Sequence, residues 1–148
     1  RVAATPQRAF DVFTRDIHLW WQSDGLFRFS QKPPGKLAFE PKVGGALIES
    51  YADGSQFEVG RITAWEPGVK LGFTWRQASF TAEQGTDVEV RFEAVGAETR
   101  VSVEHRGWDS VPQEHVARHR FPDAIFLQRH AEYWQRLLLS LRQRLAAP

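Results

Sequence analysis

The feature that most constrains the fold of this chain is a change in its hydrophobic period. Between residues 37 and 106 apolar and polar residues alternate, whereas from Phe126 to Leu145 apolar residues recur every three or four positions. Alternation sends successive side chains to opposite faces of a strand, and the longer spacing keeps them on one side of a helix. The sequence therefore predicts an antiparallel sheet with one solvated face, covered on the other by a long C-terminal helix.

Turn residues divide the alternating region into six predicted strands. Five of them occupy residues 37–40, 46–51, 56–65, 71–76 and 86–94, and the last carries Val101, Val103 and His105. Residues 1–4 resemble the end of a further strand, which brings the sheet to about seven. The apolar phase changes within residues 56–65, and Gly60 is the predicted bulge at which it switches.

Helical signals lie on both sides of the sheet region. Thr5 can cap a first helix that begins at Pro6, and a second short helix contains Ile17, Trp20 and Trp21. The long helix is predicted over residues 123–145, with Asp123 near its start, where a carboxylate suits the helix dipole. Its apolar stripe consists of Phe126, His130, Trp134, Leu137, Leu138, Leu141 and Leu145.

Composition excludes several classes of protein. The 19 basic and 18 acidic residues are interspersed, whereas nucleic-acid binders cluster their basic residues, so we expect no nucleic-acid partner. Cysteine is absent, which excludes disulfides and thiolate chemistry, and no apolar run is long enough to span a membrane. Phosphate-loop, dinucleotide-binding, nucleophile-elbow and zinc-protease motifs are also absent. We expect one domain over residues 1–148, a cytoplasmic location, and neither cofactor nor metal.

Histidines and one carboxylate are the polar groups of interest. His105 shares a strand face with Val101 and Val103, and His130 lies on the apolar helix stripe. Each is either a core histidine hydrogen-bonded within the protein or a group that orients a ligand or moves a proton. Glu49 is in phase with Leu47 and Tyr51 on the covered face, although neighbouring Ile48 favours the opposite phase. His115 and His119 have metal-compatible spacing, but surface histidines are the preferred interpretation.

Aromatic residues are unusually numerous, with 6 Trp, 11 Phe and 2 Tyr. They predict either a bulky core or a pocket lined by rings. The candidate ligand-binding residues share a predicted position on the covered faces of the sheet and helices: Trp20, Trp21, Phe39, Glu49, Phe57, Phe73, Trp75, Val90, Phe92, His105, His130 and Trp134.

Short motifs along nearly the whole chain carry a resemblance to a known family. They are Ala-Thr-Pro-Gln-Arg-Ala-Phe at 4–10, Trp-Trp at 20–21, Phe-Glu-Pro-Lys-Val-Gly-Gly at 39–45 followed by Glu49, Asp-Gly at 53–54, Gly-Arg-Ile at 60–62 with Glu-Pro at 66–67, Leu71 with Phe-Thr-Trp at 73–75, and Thr99, Val101, Val103, His105, Gly107 and Trp108. In this order they resemble the START-like superfamily, specifically relatives of the C-terminal domain of the heat-shock-protein-90 ATPase activator. The resemblance implies the α+β helix-grip fold, in which a curved antiparallel sheet, two short helices and a long C-terminal helix enclose a cavity.

Three functions remain open, because members of this family bind hydrophobic ligands, act as cyclases or hydrolases, or serve as co-chaperones. The leading hypothesis is a non-enzymatic bacterial protein that binds a small hydrophobic or aromatic molecule in an internal cavity. The alternatives are a cyclase- or hydrolase-type enzyme that uses His105 or His130, and a co-chaperone-like interaction module. Exposed aromatics such as Phe27 and Phe29 are candidates for a homodimer contact.

Overall fold

A computed structural model describes residues 1–22, 28–112, 115, 117 and 121–146, with only the backbone of residue 123. The elements follow the predicted order: two short helices, six strands and one long helix. The six strands form one antiparallel sheet in which each strand pairs with its neighbour in sequence. The helix-grip arrangement is therefore confirmed, with the C-terminal helix covering the concave face of a curled sheet.

The first two helices form where the capping and spacing signals predict them. α1 spans Pro6–Arg15, and the Thr5 hydroxyl accepts a hydrogen bond from the backbone N–H of Arg8 (3.2 Å). α2 spans Ile17–Trp20. Most apolar side chains of the two helices are buried in the core shared with the sheet, which anchors the pair there, whereas Leu19 is 51% exposed.

The strands agree closely with the predicted ranges. Their bounds are β1 Lys36–Phe39, β2 Ala46–Ser50, β3 Gln56–Glu66, β4 Lys70–Trp75, β5 Thr86–Val95 and β6 Glu98–Arg106. The strand expected at residues 1–4 is reduced to one bridge, in which Val2 and Thr99 exchange backbone hydrogen bonds of 2.9 and 3.0 Å. The chain turns into α1 at Thr5, so pairing does not continue beyond Val2.

Gly60 lies at the predicted irregularity in β3. The β2–β3 register shifts between Leu47 and Ile48, where Leu47 pairs with Gly60 and Ile48 pairs with Glu58. A Cβ atom at position 60 would lie 1.7 Å from the backbone oxygen of Thr74, so only glycine allows β4 to approach this closely. The bulge bends β3, which helps to curl the sheet around the long helix.

The long helix, α3, spans Asp123–Ala146 and matches the predicted residues 123–145. The whole predicted stripe is buried except Leu138, which is partly buried. Tyr133 is also buried (1% exposed), although the stripe predicted from sequence did not include it. In the part of the chain that the structure describes, no helix is long and apolar enough to cross a membrane, as the composition predicted.

The prediction that Phe29 is an exposed dimer contact is wrong. Phe29 is 4% exposed and packs between Trp21 and Trp75, with ring centroids 6.1 and 5.6 Å away. Its ring is large enough that burial inside the fold outweighs the polar character of the surrounding loop. Phe27 and His119, the other residues of the predicted dimer contact and histidine pair, lie outside the described residues.

Candidate functional site

One end of the inner sheet face gathers most of the candidate residues. Because the strands alternate in direction, the last residues of β2, β4 and β6 lie at the same end of the sheet. Glu49 pairs with Phe57 across β2 and β3, and Trp75 pairs with Thr86 across β4 and β5. His105 pairs with Val88, which lies two residues beyond Thr86 along β5. A row of aromatic and polar side chains therefore runs across the strands near this end.

Five rings meet where this row passes under α3, and we call them the tryptophan–histidine cluster: Trp75, His105, Trp108, His130 and Trp134. The His105 imidazole lies 4.2 Å from the Trp75 indole and 4.7 Å from the His130 imidazole, between centroids. His130 also contacts Trp108 at 4.9 Å. Both predicted histidines thus face one aromatic environment, as the helix and strand phases indicated.

A chain of hydrogen bonds determines the tautomer of His105. The Trp134 indole N–H donates to Nδ1 of His105 (3.1 Å). The Thr86 hydroxyl donates to the backbone oxygen of Trp75 (2.9 Å), so its oxygen is left to accept from His105 Nε2 at 2.7 Å. His105 is therefore a neutral imidazole with its proton on Nε2, and both ring nitrogens are occupied inside the protein.

Burial keeps both histidines uncharged. Desolvation lowers the pKa of His130 to about 3, and His130 is 4% exposed. Desolvation, with a smaller contribution from nearby His130, lowers the pKa of His105 well below its ordinary value. A general acid or base works best with a pKa near the working pH, so neither ring is suited to proton transfer near neutral pH.

A groove between β6 and α3 connects the cluster to the surface. Its volume is about 300 Å³. Its lining is mostly apolar and includes Val103, His105, His130, Ala131, Trp134 and Leu138. Four of the five cluster residues, all except Trp75, therefore border this groove.

On its other side the cluster continues through Trp21 and Phe29. Trp21 lies 5.4 Å from Trp134, edge to face, and Phe29 links Trp21 to Trp75. Gln77 follows Trp75 in the same inward phase and is 6% exposed. The sequence analysis did not place Phe29 and Gln77 in the site because both lie in loops, where hydrophobic period gives no information. Gln77 could have been found by continuing the alternation of β4 for two more residues.

Glu49 points inward, which decides between the two predicted orientations. It is 4% exposed and accepts a hydrogen bond from the Tyr51 hydroxyl (2.5 Å) and a second from the Gly35 N–H (3.3 Å). The Ser30 hydroxyl lies 2.8 Å from the Tyr51 oxygen and donates to it. Burial and the bond to Glu49 raise the pKa of Tyr51 to about 12, so this hydroxyl stays protonated. The array fastens the segment from Ser30 to Gly35 onto β2.

Several candidate residues lie away from this end of the molecule. The Trp20 indole donates to the backbone oxygens of Val12 and Phe13 (3.1 and 3.3 Å), so its polar atom serves the end of α1. Phe92 packs against the rings of Phe10 and Phe13 at 5.3 and 5.9 Å, in the α1 core. Among the rest, Val90 on β5 is buried (0% exposed), and Phe39 on the edge strand β1 contacts Phe73 on β4 at 5.3 Å.

The described residues form no candidate metal site. No group of three or more histidine, aspartate or glutamate side chains among them is arranged to hold an ion. His115 instead uses its ring nitrogens locally: Nε2 lies 3.0 Å from the Ser79 oxygen, and Nδ1 accepts from the Ala117 N–H.

Comparison with known proteins supports the family suggested by the motifs. Residues 3–146 match the family described as Activator of Hsp90 ATPase homolog 1-like protein. The chain belongs to this family. No protein of curated function matches it significantly.

Solved structures of similar shape include members of this activator-like family. The Aha1 dimer from Colwellia psychrerythraea is 18% identical with a TM-score of 0.65, covering 97% of this chain and 90% of that one. An HSP90 activator from Plasmodium falciparum is 21% identical with a TM-score of 0.63, covering 99% and 91%. An anthrahydroquino-γ-pyrone synthase, Txn09, is 28% identical with a TM-score of 0.53, covering 96% and 90%. The first two, at 18% and 21% identity, show the fold alone.

Proposed function

We propose that this protein binds a small hydrophobic, aromatic molecule at the tryptophan–histidine cluster, on the side bounded by Trp21, Trp75 and Trp134. The observation that carries the proposal is the convergence of these rings on two uncharged histidines at one end of the inner sheet face. Ligand sites combine apolar walls with a few polar groups that set orientation, and this end of the molecule has that composition. The groove of about 300 Å³ between β6 and α3 borders the same cluster on its other side.

The charge state of the site favours an uncharged aromatic ligand. His105 and His130 are neutral, and within the described residues the cluster itself contains no charged side chain. An ion placed there would lose its hydration without gaining a partner, which is costly. An aromatic ring would instead gain edge-to-face contacts with the indoles.

Binding can be tested with purified protein and the uncharged fluorescent dye N-phenyl-1-naphthylamine, together with native mass spectrometry for a co-purified ligand. We expect saturable dye fluorescence that Trp21→Ala weakens by about tenfold, since a large aromatic contact contributes more than 1 kcal/mol. Trp65→Ala is the matched control, because Trp65 is also partly buried but packs on Phe10 at the opposite end. Absence of saturable binding, or equal losses in both variants, would contradict the proposal.

A second candidate function is a cyclase-type reaction on an aromatic substrate. The favouring observations are the 28% identity to the anthrahydroquino-γ-pyrone synthase and the buried Glu49 carboxylate bonded to a protonated Tyr51. In this proposal Glu49 accepts a proton from the substrate. Glu49→Gln should then abolish turnover of a polycyclic aromatic ketone while leaving its affinity largely unchanged; unchanged turnover would exclude Glu49 as the base.

A further inference from the structure

Three buried hydrogen-bond donors beside the cluster have no acceptor among the residues that the structure describes. They are the indole N–H groups of Trp21 and Trp75 and the side-chain amide nitrogen of Gln77, and none has a hydrogen-bond partner among the described residues. Trp75 and Gln77 are 2% and 6% exposed, so bulk water does not reach most of their surface. Buried polar groups in folded proteins are nearly always paired, so unpaired donors call for an explanation.

Two of the donors flank one aromatic ring, and the third belongs to a residue next to the backbone partner of that ring's residue. Trp21 and Trp75 flank Phe29 with centroid distances of 6.1 and 5.6 Å. Gln77 lies two residues beyond Trp75, and the next residue, Ala78, donates its backbone N–H to the backbone oxygen of Phe29 at 2.7 Å. By contrast, the indole N–H groups of Trp20 and Trp134 are paired with protein acceptors. Buried indole N–H groups in this fold can therefore find protein acceptors, whereas those of Trp21 and Trp75 have none among the described residues.

We propose that the ligand is a planar aromatic molecule with a carbonyl oxygen, which lies beside Phe29 and accepts hydrogen bonds from these donors. This inference rests on the proposed binding function and adds the polarity of the ligand to it. All three groups donate, so the ligand must present acceptors. The donors are uncharged and the neighbouring histidines neutral, so a carbonyl of a ketone or quinone suits the site better than a carboxylate, whose charge would be desolvated without a cation.

A matched pair of neutral probes isolates the carbonyl. 9-Fluorenone and fluorene share one ring skeleton and differ only at C9, where a carbonyl group in the first replaces a methylene group in the second. We expect 9-fluorenone to bind about tenfold more tightly by tryptophan-fluorescence titration, because a donor left unpaired in the fluorene complex gains a partner in the other. Gln77→Met removes one donor at nearly constant volume and should reduce this preference, whereas Gln143→Met, on the exposed side of α3, should leave it unchanged.

Indole resonances locate the hydrogen bond directly. In ¹H–¹⁵N spectra assigned with Trp→Phe variants, 9-fluorenone should move the N–H signal of Trp21 or Trp75 downfield. The signals of Trp20 and Trp134 serve as internal references, because their protons are already bonded. Equal affinity for both probes, without a downfield shift, would overturn the carbonyl inference while leaving the binding function supported. Failure of both probes to bind would overturn the two together.

Discussion

At the scale of single residues, the properties of His105 come from its neighbours. The Trp134 indole and the Thr86 hydroxyl occupy its two nitrogens, and the Trp75 ring covers its face. A histidine held in this way positions other groups and does not exchange protons with a substrate. His130, packed against Trp108 and Phe126, is equally desolvated. Both are therefore core histidines that also border the groove, and their role in orienting a ligand stays a prediction.

Burial of the two histidines predicts a stability that falls in acid. Their pKa values lie below the ordinary 6.5 in the folded protein, so the unfolded chain binds more protons below that pH. Lowering the pH from 8 to 5 should therefore reduce the free energy of unfolding by about 2 kcal/mol for each histidine. Urea unfolding of wild type and His130→Phe across this range measures the effect. The pH-dependent change in the free energy of unfolding should be roughly half as large in His130→Phe as in wild type. An identical pH dependence in both proteins would show that His130 is charged in the fold.

At the scale of elements, curvature of the sheet depends on the bulge in β3. Here Val59 and Gly60 are both buried, and β4 passes so close that the Thr74 oxygen occupies the place of a side chain at position 60. The bend carries strands β1 and β2 around α3, so that Glu49 and Trp75 face the same interior at one end of the sheet. A local backbone requirement thus helps to assemble the site.

Gly60→Ala should disturb this approach. We expect a loss in the free energy of unfolding on the order of 3 kcal/mol, since the added methyl group must displace backbone. Gly85→Ala is a suitable control, because a Cβ atom there meets nothing within 4 Å, and it should change stability by less than about 0.5 kcal/mol. Chemical denaturation of both variants gives the comparison. A Gly60→Ala protein as stable as its control would show that β3 and β4 can separate at little cost.

At the scale of the whole molecule, α3 holds the fold together by covering the sheet. Its buried stripe meets α1, α2 and the strands in one continuous apolar core. The Ser140 hydroxyl adds a hydrogen bond to the Trp20 oxygen (2.6 Å), which ties the helix to the end of α2. Trp134 lies at the centre of this arrangement, in contact with Trp21, Trp75 and His105.

Trp134→Ala should therefore weaken the entire domain. Deleting a buried tryptophan typically costs about 3–5 kcal/mol, and His105 would also lose the donor to its Nδ1 atom. The midpoint of denaturant unfolding measures this loss. Leu139→Ala, at a position 51% exposed on the same helix, should cost less than about 1 kcal/mol. A loss below about 1 kcal/mol for Trp134→Ala would show that this face of α3 contributes little to the core.

The sequence alone determined the order of elements, the strand and helix boundaries, and the inward phase of His105, His130 and Trp134. These follow from hydrophobic period and from capping residues, which act over a few neighbouring positions. The family also followed from local motifs in order. For Glu49 the pattern left two orientations open, because Leu47, Ile48 and Tyr51 are all apolar and alternation cannot assign a phase there.

Only the tertiary structure decided which of these residues meet. The register of the antiparallel strands placed Glu49, Trp75 and His105 towards one end of the inner sheet face and left Trp20 and Phe92 in the α1 core. The tertiary structure also buries Phe29 in the core, although its loop shows no hydrophobic period. It leaves the side-chain donors of Trp21, Trp75 and Gln77 without acceptors among the described residues. Burial and pairing depend on neighbours that are distant in sequence, and hydrophobic period carries no information about them.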